Sequence, residues 1–199
     1  MNVLKRSGIT LAVCVVTALS LLAAANKLTH KQIERSQHAW LSKSLLEVLP
    51  PGPYDNDPLQ SLSRLETSAQ GETAGPPFYR VFQNEQPYAA VLVVTTLNGY
   101  NGAIELLMGV HYSGELVGVR IIKHRETPGL GDDIEWKKSD WVQAFAGKTL
   151  SRATDWTVKK QGGKFDSFTG ATITPKAVVA AVHEALQWFM LNREAVFSA

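Results

Sequence analysis

The chain has 199 residues, 20 of them basic and 18 acidic, for a formal net charge of +2. That near-balance excludes an electrostatic grip on nucleic acid, which calls for a lopsided basic face or tail. With 45% hydrophobic and 19% charged residues the chain is globular rather than disordered, and its single cysteine, Cys14, allows neither an intrachain disulfide nor a cysteine-built metal site.

The apolar content is uneven. Residues 8–25 (GITLAVCVVTALSLLAAA) run 18 positions without a charge, between Lys5-Arg6 and Asn26-Lys27. As a helix this run rises about 27 Å, close to the roughly 30 Å hydrocarbon core of a bilayer. A soluble core helix would not be apolar on every face at the very terminus. Ala23-Ala24-Ala25 would suit signal-peptide cleavage, but the run exceeds the roughly 7–15 residues of a signal core, so an uncleaved single-pass anchor over residues 1–28 is the favoured expectation. Lys5, Arg6 and the amino group favour a cytoplasmic N-terminus, a bias that Lys27, Lys31 and Arg35 weaken. Beyond residue 25 there remain 174 residues, enough for one compact domain or two small ones.

Residues 29–77 read as a helix followed by a Pro-rich connection. Thr29 and Gln32 fit a capping box, and Ile33, Trp40, Leu41, Leu45, Val48 and Leu49 recur at roughly helical spacing. Pro50-Pro51-Gly52-Pro53 ends that helix, and residues 50–77 lack any sustained period, as in a surface connection. Residues 78–199 form the expected main domain. Strands are predicted over 78–83, 88–95, 104–111 and 116–124, separated by the turn signals 84–87, 98–102 and 113–114. Connections this short make neighbouring strands antiparallel. A short helix should carry Trp141, Val142 and Phe145, and residues 157–160 could add a strand. Thr174 as N-cap and Pro175 as first helical residue start a last helix whose apolar stripe is Val178, Val179, Val182, Leu186, Phe189 and Met190. The fold class is α+β: an N-terminal transmembrane helix, then an antiparallel sheet covered by helices.

Common enzyme signatures are absent. The histidines at 30, 38, 111, 124 and 183 show no ligand spacing, and there is no Walker loop, dinucleotide fingerprint or G-x-S-x-G elbow. Asp132, Asp133 and Glu135 read as a solvated loop, and Lys123-His124-Arg125 as a strand end. Two loops stand out. Residues 126–131 (ETPGLG) combine a Pro-Gly type II turn with glycines that let backbone approach a flat ligand. Residues 162–174 (GGKFDSFTGATIT) run into the last helix and expose Thr172, where a phosphate would meet free amides and the positive end of a helix dipole, with Lys176 close by.

The stretch Asp166-Ser167-Phe168-Thr169-Gly170-Ala171-Thr172 matches the pattern D-x-x-[ST]-G-A-T, and the chain thereby resembles the covalent FMN-binding domains, in which a flavin transferase joins FMN through its phosphate to the last threonine. Over nearly its whole length it resembles the G subunits of the Rnf (Rsx) ion-translocating electron transport complexes, through the N-terminal apolar segment, N-G-Y-N-G at 98–102, Asp140-Trp141 and F-T-G-A-T-I-T-P. The C subunits of the sodium-translocating NADH:quinone reductases share the flavin motifs. The resemblance implies FMN attached to Thr172, which becomes a phosphoester threonine. It implies ring contacts from Thr127 and Leu130, a loop shaped by Glu126 and Gly131, space kept by Gly170 and Ala171, and transferase recognition through Asp166 and Thr169. It further implies an electron-carrying subunit of a bacterial inner-membrane complex, with partner subunits, a soluble domain in the periplasm and no independent catalysis. Two other readings stand beside it: an anchored or secreted domain that binds a phosphate-containing molecule reversibly, and a stand-alone flavin reductase, for which no substrate pocket or donor fingerprint is visible.

Overall fold

A computed structural model describes residues 3–65, 75–150 and 153–198, with backbone only for residues 3–5, 30–35, 37, 38 and 153. His30, Gln32, Ile33 and His38 therefore lie outside the described side chains. The chain divides into two compact units, Met1–Ser42 and Lys43–Ala199.

Helix α1 (Val3–Glu47) runs unbroken past residue 29. Thr29 does not start a new helix. Its hydroxyl donates to the Ala25 carbonyl at 2.8 Å, the back-bonding of a mid-helix threonine, and nothing between Ala25 and Thr29 breaks the helix. Arg6–Thr29 is a candidate membrane span of 24 residues, with a mean hydropathy of 2.3 and none of it buried against protein. Leu11, Leu19, Leu21 and Leu22 are all exposed.

The second unit holds a four-stranded antiparallel sheet in the order β1-β2-β3-β4. Its strands are β1 (Phe78–Gln83), β2 (Gln86–Gly99), β3 (Gly102–His111) and β4 (Leu116–Lys123), an up-and-down meander. The β1–β2 turn puts Asn84 at φ 53° and Glu85 at φ 59°, the left-handed pair that matches strand twist. The Asp55 carboxylate accepts the Glu85 amide at 2.8 Å and holds that strained residue.

Helix α2 (Ile173–Ser198) covers one face, with Val178, Val179, Val182, Leu186 and Phe189 fully buried. These pack with Leu92, Leu106, Met108, Val119 and Phe165 into one core. The other face, including the buried Ala89, Val91 and Leu107, accompanies Leu45, Val48 and Leu49 from the end of α1 and the residues after it. The backbone of Val48 lies so close over Gly109 that a Cβ there would overlap the Val48 carbonyl. With both faces buried, β2 and β3 read as near-continuous apolar runs rather than strict alternation.

Two further expectations need correction. Residues 50–65 are more than a surface connection, because they close the outer edge of β1. Asn56 Nδ2 donates to the Arg80 carbonyl at 2.9 Å while its Oδ1 accepts the Phe82 amide at 3.0 Å, and the Ser61 hydroxyl accepts the Arg80 amide. Side chains thus do the work of a missing strand and blunt an exposed edge. Residues 66–74 of that connection lie outside the described residues. Residues 157–160 do not form a strand: one bridge joins Val158 to Phe165 before a 3-10 turn at Lys159–Gln161, which ends on Gly162 at φ +86°. The short helix around Trp141 does form, as a 3-10 helix, Trp141–Phe145, that follows Asp140 and buries Trp141, Val142 and Phe145.

Candidate functional site

Both loops singled out from the sequence form tight turns on glycines at positive φ. In the first, the Leu130 amide donates to the Thr127 carbonyl at 3.1 Å with Gly129 at φ +76°, the type II turn that Pro128-Gly129 predicts. In the second, the Ala171 amide donates to the Phe168 carbonyl at 3.3 Å with Gly170 at φ +82°. The turns meet: a Cβ on Gly170 would lie 3.3 Å from Leu130 Cδ2. Between them is a cavity of about 330 Å³ lined by Glu126, Thr127, Leu130, Gly131, Gly170, Ala171, Thr172 and Thr174, with Tyr100 and Ile173 completing it. Small-molecule sites typically run from about 300 to 1,000 Å³. Thr169 is exposed and outside the cavity lining. Asp166 is exposed too, paired with Lys159 Nζ at 2.7 Å, and its carbonyl accepts the Trp141 indole N–H at 2.8 Å.

The start of α2 differs from the expectation. Ile173 is the first helical residue and the Thr172 carbonyl accepts the Lys176 amide, so Thr172 takes the N-cap position and Pro175 is the third helical residue. Thr174 cannot cap because its fully buried hydroxyl is given to Glu126 Oε2 at 2.5 Å. Pro175 remains harmless there, since the first four amides of a helix have no intrahelical acceptor. Half-buried Thr172 keeps a hydroxyl that makes no hydrogen bond among the described residues, at the end where free amides and dipole favour an anion.

The β2–β3 hairpin also reaches the site, a contribution not read from the sequence. Gly99 pairs with Gly102, so Tyr100 and Asn101 form the apex. The Asn101 amide donates to Glu126 Oε1 at 3.1 Å, and Asn101 Nδ2 donates to Thr127 Oγ1 at 3.0 Å. Thr127 thus keeps its hydroxyl proton to offer the cavity.

The acidic stretch after the first turn is not simply solvated. Asp132 is buried, accepting the Gly129 amide at 2.7 Å and Lys138 Nζ at 2.6 Å. Lys138 also reaches Glu135 at 2.7 Å, which lies 3.1 Å from His124 Nε2, while His124 Nδ1 accepts the Glu126 amide at 3.1 Å. This chain of contacts grips the 126–131 loop at Glu126 and Gly129. The hydrogen bond from Lys138 holds the Asp132 and Glu135 carboxyls below their ordinary values of 3.8 and 4.5, against the opposing effect of burial. A carboxyl depressed in the folded state stabilises it above the unfolded value and loses that contribution as pH falls. Thermal stability should therefore drop as pH falls through about 4.5 and below. Thermal unfolding of Lys138→Ala across that window should show a flatter profile, and an unchanged profile would count against the cluster.

Residues 99–187 match a protein family described as FMN-binding domain. The chain is 45% identical over 192 residues to the G subunit of an ion-translocating oxidoreductase complex from Pseudomonas aeruginosa strain UCBPP-PA14, covering 95% of this chain and 90% of that protein. The protein of the same name from Photorhabdus laumondii is 45% identical over 185 residues, covering 92% and 88%. That from Vibrio atlanticus is 38% identical over 200 residues, covering 100% and 96%. Among solved structures, NqrC of Shewanella oneidensis aligns with a TM-score of 0.49 at 20% identity, covering 73% of this chain and 72% of that one. With this identity sustained along almost its whole length, the chain belongs to the family of the G subunits of ion-translocating (Rnf) oxidoreductase complexes.

Proposed function

We propose that the chain is an electron-carrying subunit of an ion-translocating membrane complex, with FMN held covalently through its phosphate on Thr172. The observation that carries this reading is the cavity joining the 126–131 turn to an uncommitted threonine hydroxyl at a helix N-terminus, inside the segment that matches FMN-binding domains. The residues fit such a group. Thr172 offers the hydroxyl, and the α2 amides offer donors to phosphate oxygens. Gly170 and Ala171 add no bulk beside them. Leu130 gives an apolar wall for a flat ring, and Thr127 gives a donor at its edge. Glu126 and Gly131 hold the loop. Flavin supplies exchange of one or two electrons, so no acid–base pair is required of the protein.

The exposed motif residues Asp166 and Thr169 serve recognition by the flavin transferase that makes the bond. The 24-residue apolar span of α1 anchors the chain in the bacterial inner membrane, with the FMN-bearing domain on the periplasmic side and other subunits of the complex as its neighbours. Protease added to spheroplasts should then cut the domain away from its anchor.

The electron-carrier reading is tested by supplying an electron donor to the purified chain and to the assembled complex. Bleaching of the visible flavin band only in the complex is the expected result; steady turnover of a donor by the chain alone would identify a stand-alone reductase instead. Thr127→Ala should leave attachment intact while shifting the visible spectrum or the midpoint potential. An unchanged spectrum and potential would remove Thr127 from the ring contacts.

A further inference from the structure

Two buried carboxyls stand in the loop after β4, and they are treated differently. Asp132 is paired with Lys138. Glu126, only 5% exposed, is not: Oε1 accepts the Asn101 amide, Oε2 accepts the Thr174 hydroxyl, and no cation pairs with it among the described residues. Each oxygen is held by its own donor, the Asn101 amide on one side and the Thr174 hydroxyl on the other. Room for it is built into the backbone, since a Cβ on Gly99 would come within 2.8 Å of Oε1 and one on Gly131 within 2.9 Å of Oε2. Buried charges are ordinarily neutralised by a partner charge or a metal. The one left with neutral donors alone is the one in the cavity wall.

We infer that Glu126 supplies a fixed negative charge to the cavity and thereby holds down the reduction potential of the cofactor bound there. The inference rests on the FMN reading above. Electrons entering the cavity add negative charge, and a nearby carboxylate in low-dielectric surroundings opposes that addition more strongly than it would in water. Asn101, Thr174 and the two glycines fix where this charge sits, so its effect is built in before any electron arrives.

The test uses the full chain coexpressed with a flavin transferase, as wild type, Glu126→Gln and Thr174→Val. Flavin fluorescence on a denaturing gel is read first, and midpoint potentials are then measured at pH 8. In Glu126→Gln the ratio of reduced to oxidised flavin at a fixed ambient potential should rise at least tenfold, an upward shift of about 30 mV for a two-electron couple. Thr174→Val keeps the charge but removes a donor that screens it, so its potential should move down. Opposite directions separate a charge effect from mere loosening of the loop, which would move both variants alike. A wild-type chain carrying no flavin overturns the cofactor reading and this inference with it. Flavin-bearing variants with wild-type potentials, or variants shifted in the same direction, overturn this inference alone; if Glu126→Gln fails to fold, an unchanged or raised potential in Thr174→Val overturns it.

Discussion

Thr172→Val should abolish covalent flavin attachment while leaving a folded protein. The substitution keeps the branched shape at a half-buried position and removes only the hydroxyl. Its hydroxyl makes no hydrogen bond among the described residues, so the change should cost no more than about 0.5 kcal/mol and move the melting temperature by about 1–2 °C in a chain of this size. Far-ultraviolet circular dichroism should therefore overlay the wild type, and the denaturing gel should lose its fluorescent band. Thr172→Ser keeps an oxygen at the same place and should retain some attachment. A band that survives Thr172→Val would assign the bond to another residue. Thr174 is the nearest alternative in sequence, but its hydroxyl is buried and committed to Glu126.

The second large effect is on stability. Gly109 sits in β3 where the Val48 backbone crosses the sheet, and a methyl group there meets a carbonyl that has no rotamer with which to yield. Gly109→Ala should cost about 3 kcal/mol, the upper part of the range for overpacking, and lower the melting temperature by about 6–12 °C. Gly118→Ala is the matched control. It lies on the neighbouring strand β4, where an added Cβ meets nothing within 4 Å, so it should stay within about 0.5 kcal/mol of wild type. Equal stabilities for the two variants would show that the segment after α1 does not seal that face. Flavin attachment should survive Gly109→Ala wherever the chain remains folded, because the 126–131 turn and the start of α2 do not touch that glycine.

What can be read from the sequence is what local chemistry dictates. All four strands and α2 follow from periodicity and turn residues, and the Pro128-Gly129 turn from the φ preferences of its two residues. The helix start differs by two residues because a threonine hydroxyl has two uses, and nothing local says that Thr174 spends its own on Glu126, 48 positions away. The hairpin apex is not legible as part of the site for a similar reason: Asn101 reaches Glu126 and Thr127 only through the tertiary fold. Asp132 reads as solvated because its lysine partner and its burial both depend on how the loop folds back. The edge-closing role of Asn56 and Ser61 is hidden in a stretch whose composition resembles any surface connection.

The bond at Thr172 is addressed most directly by intact mass followed by peptide mapping. The chain is coexpressed with an active flavin transferase, denatured, weighed and digested. A gain of one FMN minus one water is expected, carried entirely on the peptide that contains Thr172. An unmodified mass, with the transferase shown to flavinylate a control substrate in the same cells, would contradict it and leave a domain that binds a phosphate-containing molecule reversibly.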